Sequence, residues 1–175
     1  NIRFKVRFSP HSAVFRHKDN YLYMRKALFS YFCDRKIKTR TILMKHYFTR
    51  LEEQIKANWN RPALGNYRGE LFTFGEVATN IAKLHLLYEN CGLKKGDKVA
   101  IYARNSAEWC IAYFATLAYD AVTVPFLPDF LPSAVAELGS FSECKMLIVD
   151  DIAFNAFEAS PELYDKLDAV DGFVG

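Results

Sequence analysis

The chain has 175 residues, of which 51% are apolar and 15% aromatic, enough to bury one core or one large subdomain. Its net charge of +3 is unevenly spread: residues 1–43 hold 11 of the 23 Lys and Arg and two acids, so they carry +9, and the rest carries 12 minus 18, or −6. No apolar run approaches the roughly 18 residues of a membrane span, and the four cysteines form neither a CxxC pair nor a zinc-type cluster. The composition therefore argues against a secreted, disulfide-rich protein and favours a cytoplasmic one.

Residues 1–43 are predicted to be a basic leader outside the fold, which we expect to occupy residues 44–175. The leader is rich in Arg and poor in acids, as in organelle transit peptides, and its mixed basic and aromatic residues would also suit an anionic membrane or RNA. We favour a plainer interpretation, in which it is sequence translated in frame upstream of a start at Met44. The leader therefore assigns no function; no nucleic-acid partner is expected, and peripheral membrane contact stays an open alternative.

The segment from Met44 shows helical periodicity. Its apolar residues recur at spacings of four, which predicts an amphipathic helix that Pro62 ends: Tyr47, Leu51, Ile55 and Trp59. Two short apolar runs then flank Arg68 and Gly69. Because Gly tolerates positive φ, this two-residue connection predicts a hairpin.

Thr73 and Glu76 have the spacing of a capping box, which predicts a helix start. The helix continues with a stripe of apolar residues and ends at Gly92: Val77, Ile81, Leu84 and Tyr88. His85 borders this stripe without a carboxylate or second His nearby in the sequence. We therefore expect a packing or surface role for His85 and not a catalytic one.

A tight basic turn is predicted between Gly92 and Gly96, closed by the Asp97 carboxylate and followed by a buried strand over Val99–Ala103. The motif of a phosphate-binding loop, G-x-x-x-x-G-K-[ST], does not fit, because the glycines are one residue too close and no Lys-Ser or Lys-Thr follows them. The turn is therefore interpreted as scaffold.

Asn105 and Glu108 predict a second cap of the same kind, at the start of a helix that is apolar nearly all round and hence buried on more than one side. Trp109 and Tyr113, four residues apart, should stack. They could form the wall of an acyl pocket or belong to the core, and we favour the core. A further strand is predicted over Ala121–Pro125.

A helix from Pro132 through Leu138, stopped by Gly139, and a strand over Lys145–Val149 are predicted next. Asp150 and Asp151 follow that strand, at the edge where doubly wound sheets bind ligands. They could meet a metal or a ribose, but without a glycine-rich phosphate turn we favour a solvated loop and helix start.

Ser160 and Pro161 predict a further helix start, and Ala169–Val174 a last strand. Strands alternating with helices in this way imply parallel βαβ units. The predicted fold class is therefore α/β, a three-layer parallel sheet with helices on both faces.

Several segments together resemble one enzyme family: LFTFGEVATNIAKLH (71–85), CGLKKGDKVAIYARNSAEW (91–109) with its G-D-K-V, AVTVPFLP (121–128) and CKMLIV (144–149). They resemble the start of an adenylate-forming (AMP-binding) acyl-CoA synthetase, in particular a bacterial long-chain fatty-acid CoA ligase. The resemblance covers most of residues 44–175. One departure is Asp120, which stands where the family usually has Gly, although Asp tolerates the left-handed conformation.

The resemblance implies an ATP-dependent activation of a fatty acid to an acyl-adenylate, followed by transfer to coenzyme A, with magnesium. The family's phosphate-binding motif T-S-G-T-T-G-x-P-K-G, its acidic ATP-binding motif and its catalytic Lys do not occur in this sequence. We therefore assign no catalytic, cofactor-binding or metal-binding residue.

We expect these residues to be a truncated amino-terminal fragment, inactive and without cofactors alone and prone to self-association. The alternative is a non-catalytic binding or interaction module derived from the same half-domain.

Overall fold

The structure is a computed structural model that describes residues 42–159 and 173–174. The chain divides into two compact units at residues 83 and 84, and each is described by itself. The described part of the first unit holds a helix, a hairpin and the start of a second helix. That of the second unit holds a four-stranded sheet with its helices. No helix in these described ranges is long and apolar enough to cross a membrane.

Helix α1 spans Ile42–Ala57, so it begins two residues before the predicted start and ends earlier than predicted. Ile55 is buried, but Tyr47 is exposed, so the predicted apolar stripe is only partly covered. Trp59 lies after the helix and not on it, and Pro62 does not end the helix but begins the first strand.

The predicted hairpin is present, as strand β1 (Pro62–Gly65) paired antiparallel with β2 (Leu71–Thr73). Its turn is closed by the Gly69 amide, which donates to the Asn66 carbonyl at 2.9 Å. The prediction that Gly69 takes the positive φ is wrong: Arg68 does, at φ 56°. The φ sign and the closing bond fit a type II turn with Arg68 at its third position, where Gly or Asn is preferred.

Helix α2 spans Phe74–Asn90 and begins with the predicted capping box. The Glu76 carboxylate accepts from the Thr73 amide at 2.8 Å, and the Thr73 hydroxyl accepts from the Glu76 amide at 3.2 Å. The Thr73 amide and hydroxyl lower the pKa of Glu76. The predicted stripe is buried, and Gly92 follows the helix with φ 71°.

We expect Gly75→Ala to lower the free energy of unfolding by about 1–3 kcal/mol, the usual range for overpacking. A Cβ at Gly75 would lie 2.5 Å from Cε2 of the Trp59 ring, and the Gly75 amide donates to the Trp59 carbonyl at 2.8 Å. Denaturant titration of Gly75→Ala, Trp59→Leu and the double variant measures the coupling. Strictly additive effects would contradict this contact.

The second unit is built on four parallel strands in the order β4-β3-β5-β6. These are β3 (Lys98–Tyr102), β4 (Val122–Phe126), β5 (Cys144–Val149) and β6 (Phe173–Val174). Helices α3 (Ala107–Ala118), α4 (Pro132–Phe141) and α5 (Asp151–Glu158) join them in sequence. The connection from β3 to β4 runs in one direction along the sheet, and those from β4 to β5 and from β5 to β6 run in the other. Since such connections are right-handed, α3 lies on one face of the sheet and α4 and α5 lie on the other. The predicted α/β class, with a parallel sheet and helices on both faces, is confirmed.

The turn before β3 is closed as predicted. The Lys94 amide donates to the Asp97 carboxylate at 2.7 Å, and Gly96 has φ 86°. Asp120 does adopt the left-handed conformation, with φ 61°, and its carboxylate pairs with Lys95 at 3.0 Å. Asp120 therefore takes the left-handed conformation that Gly would adopt readily at this position.

Two predicted helix ends are wrong. The residue that caps α3 is Ser106 and not Asn105: its backbone is extended, and its hydroxyl accepts from the Trp109 amide at 3.1 Å. Gly139 does not stop α4 but is buried within it, and the helix ends at Ser142, before Glu143 with φ 55°. Ser160, Pro161 and residues 169–172 of the last predicted strand lie outside the described residues.

The core of the second unit lies between the sheet and its helices. Side chains from β3, β5, α4 and α5 form one buried cluster, which includes Ala100, Tyr102, Val135, Leu147, Val149 and Phe157. Every residue of β5 except Lys145 is buried, as expected for a strand covered on both faces.

Candidate functional site

The sheet reverses its direction of growth between β3 and β5. The connection from β3 leads to β4 on one side, and the next connection returns past β3 to β5 on the other. In doubly wound sheets this switch point, outside the carboxyl ends of the strands, is where ligands bind. Arg104 lies two residues after β3, and Asp150 directly after β5.

Asp150 joins the two strand ends through both of its carboxylate oxygens. Oδ2 accepts from the Arg104 amide at 3.2 Å and from Arg104 Nε at 3.0 Å. Oδ1 accepts from the Ala153 amide at 2.9 Å and so caps α5. The carboxylate therefore holds the start of α5 against the end of β3.

The Asp150 carboxylate is stabilised in its charged form. Burial acts to raise the pKa of Asp150, but the Ala153 amide and the Arg104 side chain and amide outweigh it, so the pKa lies below its usual value. The Arg104 side chain is 66% exposed, whereas that of Asp150 is 11% exposed. The guanidinium of Arg104 is therefore exposed to solvent, whereas the carboxylate that it contacts is buried.

The loop after β4 lies against the same edge. Tyr102, the last residue of β3, donates its hydroxyl to the Phe130 carbonyl at 2.6 Å. Burial raises the pKa of Tyr102, and the nearby charges of Asp150 and Asp129 raise it further. Three adjacent strands therefore contribute to one edge: Tyr102 and Arg104 from β3, Phe130 from the loop after β4, and Asp150 from β5.

The two acids at this edge have different roles. The predicted helix start is confirmed, but Asp150 is 8% exposed and not solvated, whereas Asp151 is exposed in the first turn of α5. A metal or ribose at Asp150 would have to displace bonds to both of its oxygens. Within the described ranges no group of three or more His, Cys, Asp or Glu could hold a metal ion.

The two other side-chain groups considered from the sequence lie on α2 and α3. His85 is buried, and its Nε2 donates to the Ala115 carbonyl at 2.8 Å, a packing role. Trp109 and Tyr113 stack as predicted, with centroids 5.3 Å apart. Both rings are partly buried.

A pocket of about 370 Å³ lies at the opposite edge, at the amino ends of the strands. Its lining includes Cys91, Lys94, Asp97 and Lys145, and burial raises the pKa of the Cys91 thiol. It contains none of the side chains of the switch point.

Arg104 was missed from the sequence, although a signal was present. It follows β3 as Asp150 follows β5, and residues that follow neighbouring parallel strands meet at one edge. Finding the pair required knowing that β3 and β5 are neighbours, which chain order alone does not give.

Comparison with known proteins agrees with this fold. The family model of AMP-binding enzymes matches residues 51–172, more than half of the chain. The chain therefore belongs to the AMP-binding enzyme family, the adenylate-forming ligases.

Curated relatives differ in their substrates. Long chain acyl-CoA synthetase 5 of Arabidopsis thaliana is 32% identical over 79 residues, 45% of this chain and 12% of that protein. 4-coumarate–CoA ligase CCL1 of Humulus lupulus is 29% identical over 97 residues, 55% of this chain and 18% of its own length. Surfactin synthase subunit 2 of Bacillus subtilis (strain 168) is 28% identical over 97 residues, 55% of this chain and 3% of that protein. The chain thus spans less than a fifth of each.

Solved structures give the same picture. The anthranilate CoA ligase AuaEII in complex with anthranoyl-AMP superposes with a TM-score of 0.62 at 20% identity, over 70% of this chain and 23% of that one. The Klebsiella oxytoca NpsA N-terminal subdomain in complex with anthranilyl-AMSN superposes with a TM-score of 0.52 at 30% identity, over 58% of this chain and 26% of its own. The first shows the shared fold. The second is itself an N-terminal subdomain of an adenylating enzyme.

Proposed function

We propose that residues 44–175 form the amino-terminal part of a fatty-acid CoA ligase that acts on long-chain acids. The observation that carries this proposal is the family match over residues 51–172, which spans the hairpin and strands β3 to β5 of the sheet. The reaction would convert a fatty acid and ATP to an acyl-adenylate and pyrophosphate, and then transfer the acyl group to coenzyme A with release of AMP.

The choice of a long-chain acid rests on narrower grounds. The match to the Arabidopsis long chain acyl-CoA synthetase has 32% identity, against 28% and 29% for the two other relatives named above. It also agrees with the motifs that carry the resemblance in the sequence. Acetyl-coenzyme A synthetase of Desulfatibacillum aliphaticivorans matches at 29% over 110 residues, so the acid must be tested directly.

The role proposed for the switch-point pair is to position the site. Asp150 fixes the entry into α5 and the end of β3, while the exposed Arg104 lies at the edge where a ligand would approach. Magnesium is implied for the reaction, but the described residues offer no set of free carboxylates that fits it. We therefore derive no step through the metal from them.

We expect a graft to restore adenylation. In the Arabidopsis long chain acyl-CoA synthetase, the segment that corresponds to residues 51–172 is replaced by these residues, and the chimera should catalyse palmitate-dependent exchange of pyrophosphate into ATP. The remaining host residues supply the cationic and amide donors that stabilise a transferring adenylyl group. Exchange of labelled pyrophosphate, with and without acid, is the measurement.

The control is the host protein with the same segment deleted, which should show no exchange above its no-acid background. Acetate and 4-coumarate are assayed alongside palmitate. A folded chimera without exchange would contradict the enzymatic role and support a binding module; exchange with acetate or 4-coumarate but not palmitate would overturn only the choice of acid.

A further inference from the structure

The hairpin of the first unit exposes an unusual set of side chains at its turn. Tyr67 is 88% exposed and Leu71 is 70% exposed. Leu71 on β2 pairs with Gly65 on β1, and the Cδ2 of Leu71 occupies the space that a Cβ at Gly65 would need. We call Tyr67, Arg68 and Leu71 the hairpin tip.

A cation sits beside the exposed ring. The Arg68 guanidinium carbon lies 5.1 Å from the centroid of the Tyr67 ring, within the range of a cation–π contact. Arg61, at the base of the same hairpin, donates to the Asn58 side chain, and neither arginine pairs with a carboxylate in the described part of the chain. Both guanidinium groups are therefore available to an anionic partner, although Glu70 lowers the net charge of the hairpin to +1.

The backbone at Arg68 is held in a conformation that favours Gly. Its φ of 56° places a long side chain at a turn position that Gly or Asn would occupy with less strain. Gly69, the next residue, does not take this φ although it could. The turn thus keeps an arginine next to an exposed tyrosine at a cost in backbone energy.

We propose that the hairpin tip contacts the surface of an anionic lipid bilayer. Tyr has an apolar ring and a polar end that suit the headgroup region, and Leu71 adds an aliphatic side chain. Arg68 and Arg61 complement the negative surface of anionic lipids, and Arg can extend its charge to the headgroups while its stem lies on apolar surface. This proposal does not rest on the ligase function.

The charge distribution of the sequence favours this partner. Residues 44–175 together carry −6, but between residues 58 and 73 there are two arginines and one acid, Glu70, so the hairpin is locally positive, and residues 1–43 carry +9. An anionic bilayer attracts both stretches through the same long-range field. An aliphatic side chain beside the tyrosine suits a lipid surface better than the stacked bases of a nucleic acid.

The test measures binding of the full 175-residue chain to vesicles of phosphatidylcholine alone and of phosphatidylcholine mixed with phosphatidylserine, by co-sedimentation. We expect binding to the mixed vesicles only, weakened by salt. Arg68→Gly should weaken it about fivefold, the effect expected for one basic residue near such a surface. Tyr67→Ser should also weaken it, because it removes the apolar ring that enters the headgroup region. Arg68→Gly should leave the melting temperature unchanged or raise it, because it relieves the left-handed backbone.

The matched control is Phe141→Ser, because Phe141 is also 88% exposed but lies in the second unit. It should leave vesicle binding unchanged. Absent binding to the mixed vesicles, equal binding by all variants, or equal weakening by Phe141→Ser would overturn the proposal. If Tyr67→Ser weakens binding to single-stranded RNA and not to vesicles, the tip is a nucleic-acid contact and the proposal is wrong.

Discussion

Replacing Phe157 by Ala should lower the free energy of unfolding by about 3–5 kcal/mol, the usual cost of truncating a large buried aromatic side chain. Phe157 is fully buried on α5 and packs edge-on against Tyr102, with ring centroids 6.2 Å apart. It therefore links α5 to the sheet beneath the switch point. Equilibrium denaturation in urea, followed by circular dichroism, measures the loss.

Phe141→Ala is the control for this substitution. Phe141 is 88% exposed, so its truncation should change stability by no more than about 0.5 kcal/mol, as for most surface substitutions. Similar losses for both variants would contradict the placement of α5 on the sheet.

Asp150→Ala should lower the free energy of unfolding by about 2–4 kcal/mol at neutral pH. The change removes a helix cap, worth about 1 kcal/mol, and charge-assisted bonds from the Arg104 amide and side chain, worth about 1.5–3 kcal/mol. The exposed guanidinium of Arg104 can return to water, which keeps the loss within this range. Thermal and urea denaturation at pH 7 provide the measurement.

The same carboxylate predicts a pH dependence with a definite sign. Because the pKa of Asp150 is lowered in the folded state, its stabilisation is present above the unfolded pKa of about 3.9 and is lost as the pH falls through the folded value. The difference in stability between the wild type and Asp150→Asn should shrink as the pH falls below about 4. A difference that stays constant down to pH 2 would show that the charge of Asp150 does not contribute.

Much of the fold could be predicted because it depends on local chemistry. The capping box of Thr73 and Glu76, the turn closed by Asp97 and the left-handed Asp120 each need only a few neighbouring residues. Errors arose where two neighbouring residues could serve the same role: Ser106 caps α3 in place of Asn105, and Arg68 takes the φ expected of Gly69.

Burial was harder to predict, because it depends on which faces neighbouring elements cover. The helix α3 is apolar nearly all round, but its buried residues form one stripe of small and β-branched side chains, and Trp109 is half-buried. Trp109→Ala should therefore cost less than truncation of the fully buried Phe157. Gly139 was predicted to end α4, but it lies at a buried position inside the helix, where a Cβ would meet no atom within 4 Å.

Only one of the two residues that pair at the switch point was considered from the sequence. Asp150 was considered from its position after β5, although a solvated loop and helix start was favoured for it, whereas Arg104 needed the strand order β4-β3-β5-β6. That order is a tertiary property, set by how the connections cross the sheet, and no motif in the sequence encodes it.

Self-association stays a prediction, and the structure adds an opposing feature. Among the described strands, β4 pairs with β3 alone, so its other edge is unpaired. The Val122 amide donates to the carbonyl of Asp97, the residue before β3. Because the backbone groups of successive strand residues point to opposite sides, those of Thr123 and Pro125 point away from β3, toward the unpaired edge. Pro125 has no N–H group to donate there. A proline on an edge strand is a common device against pairing with another chain.

The most direct measurement of the ligase assignment compares two proteins in one assay, the isolated 175-residue chain and the chimera that carries residues 51–172. We expect palmitate-dependent exchange of pyrophosphate into ATP from the chimera and none from the isolated chain, whose sequence lacks the family's phosphate-binding motif. Exchange by the isolated chain, or its absence from a folded chimera, would contradict the assignment of this segment to the amino-terminal part of a fatty-acid CoA ligase.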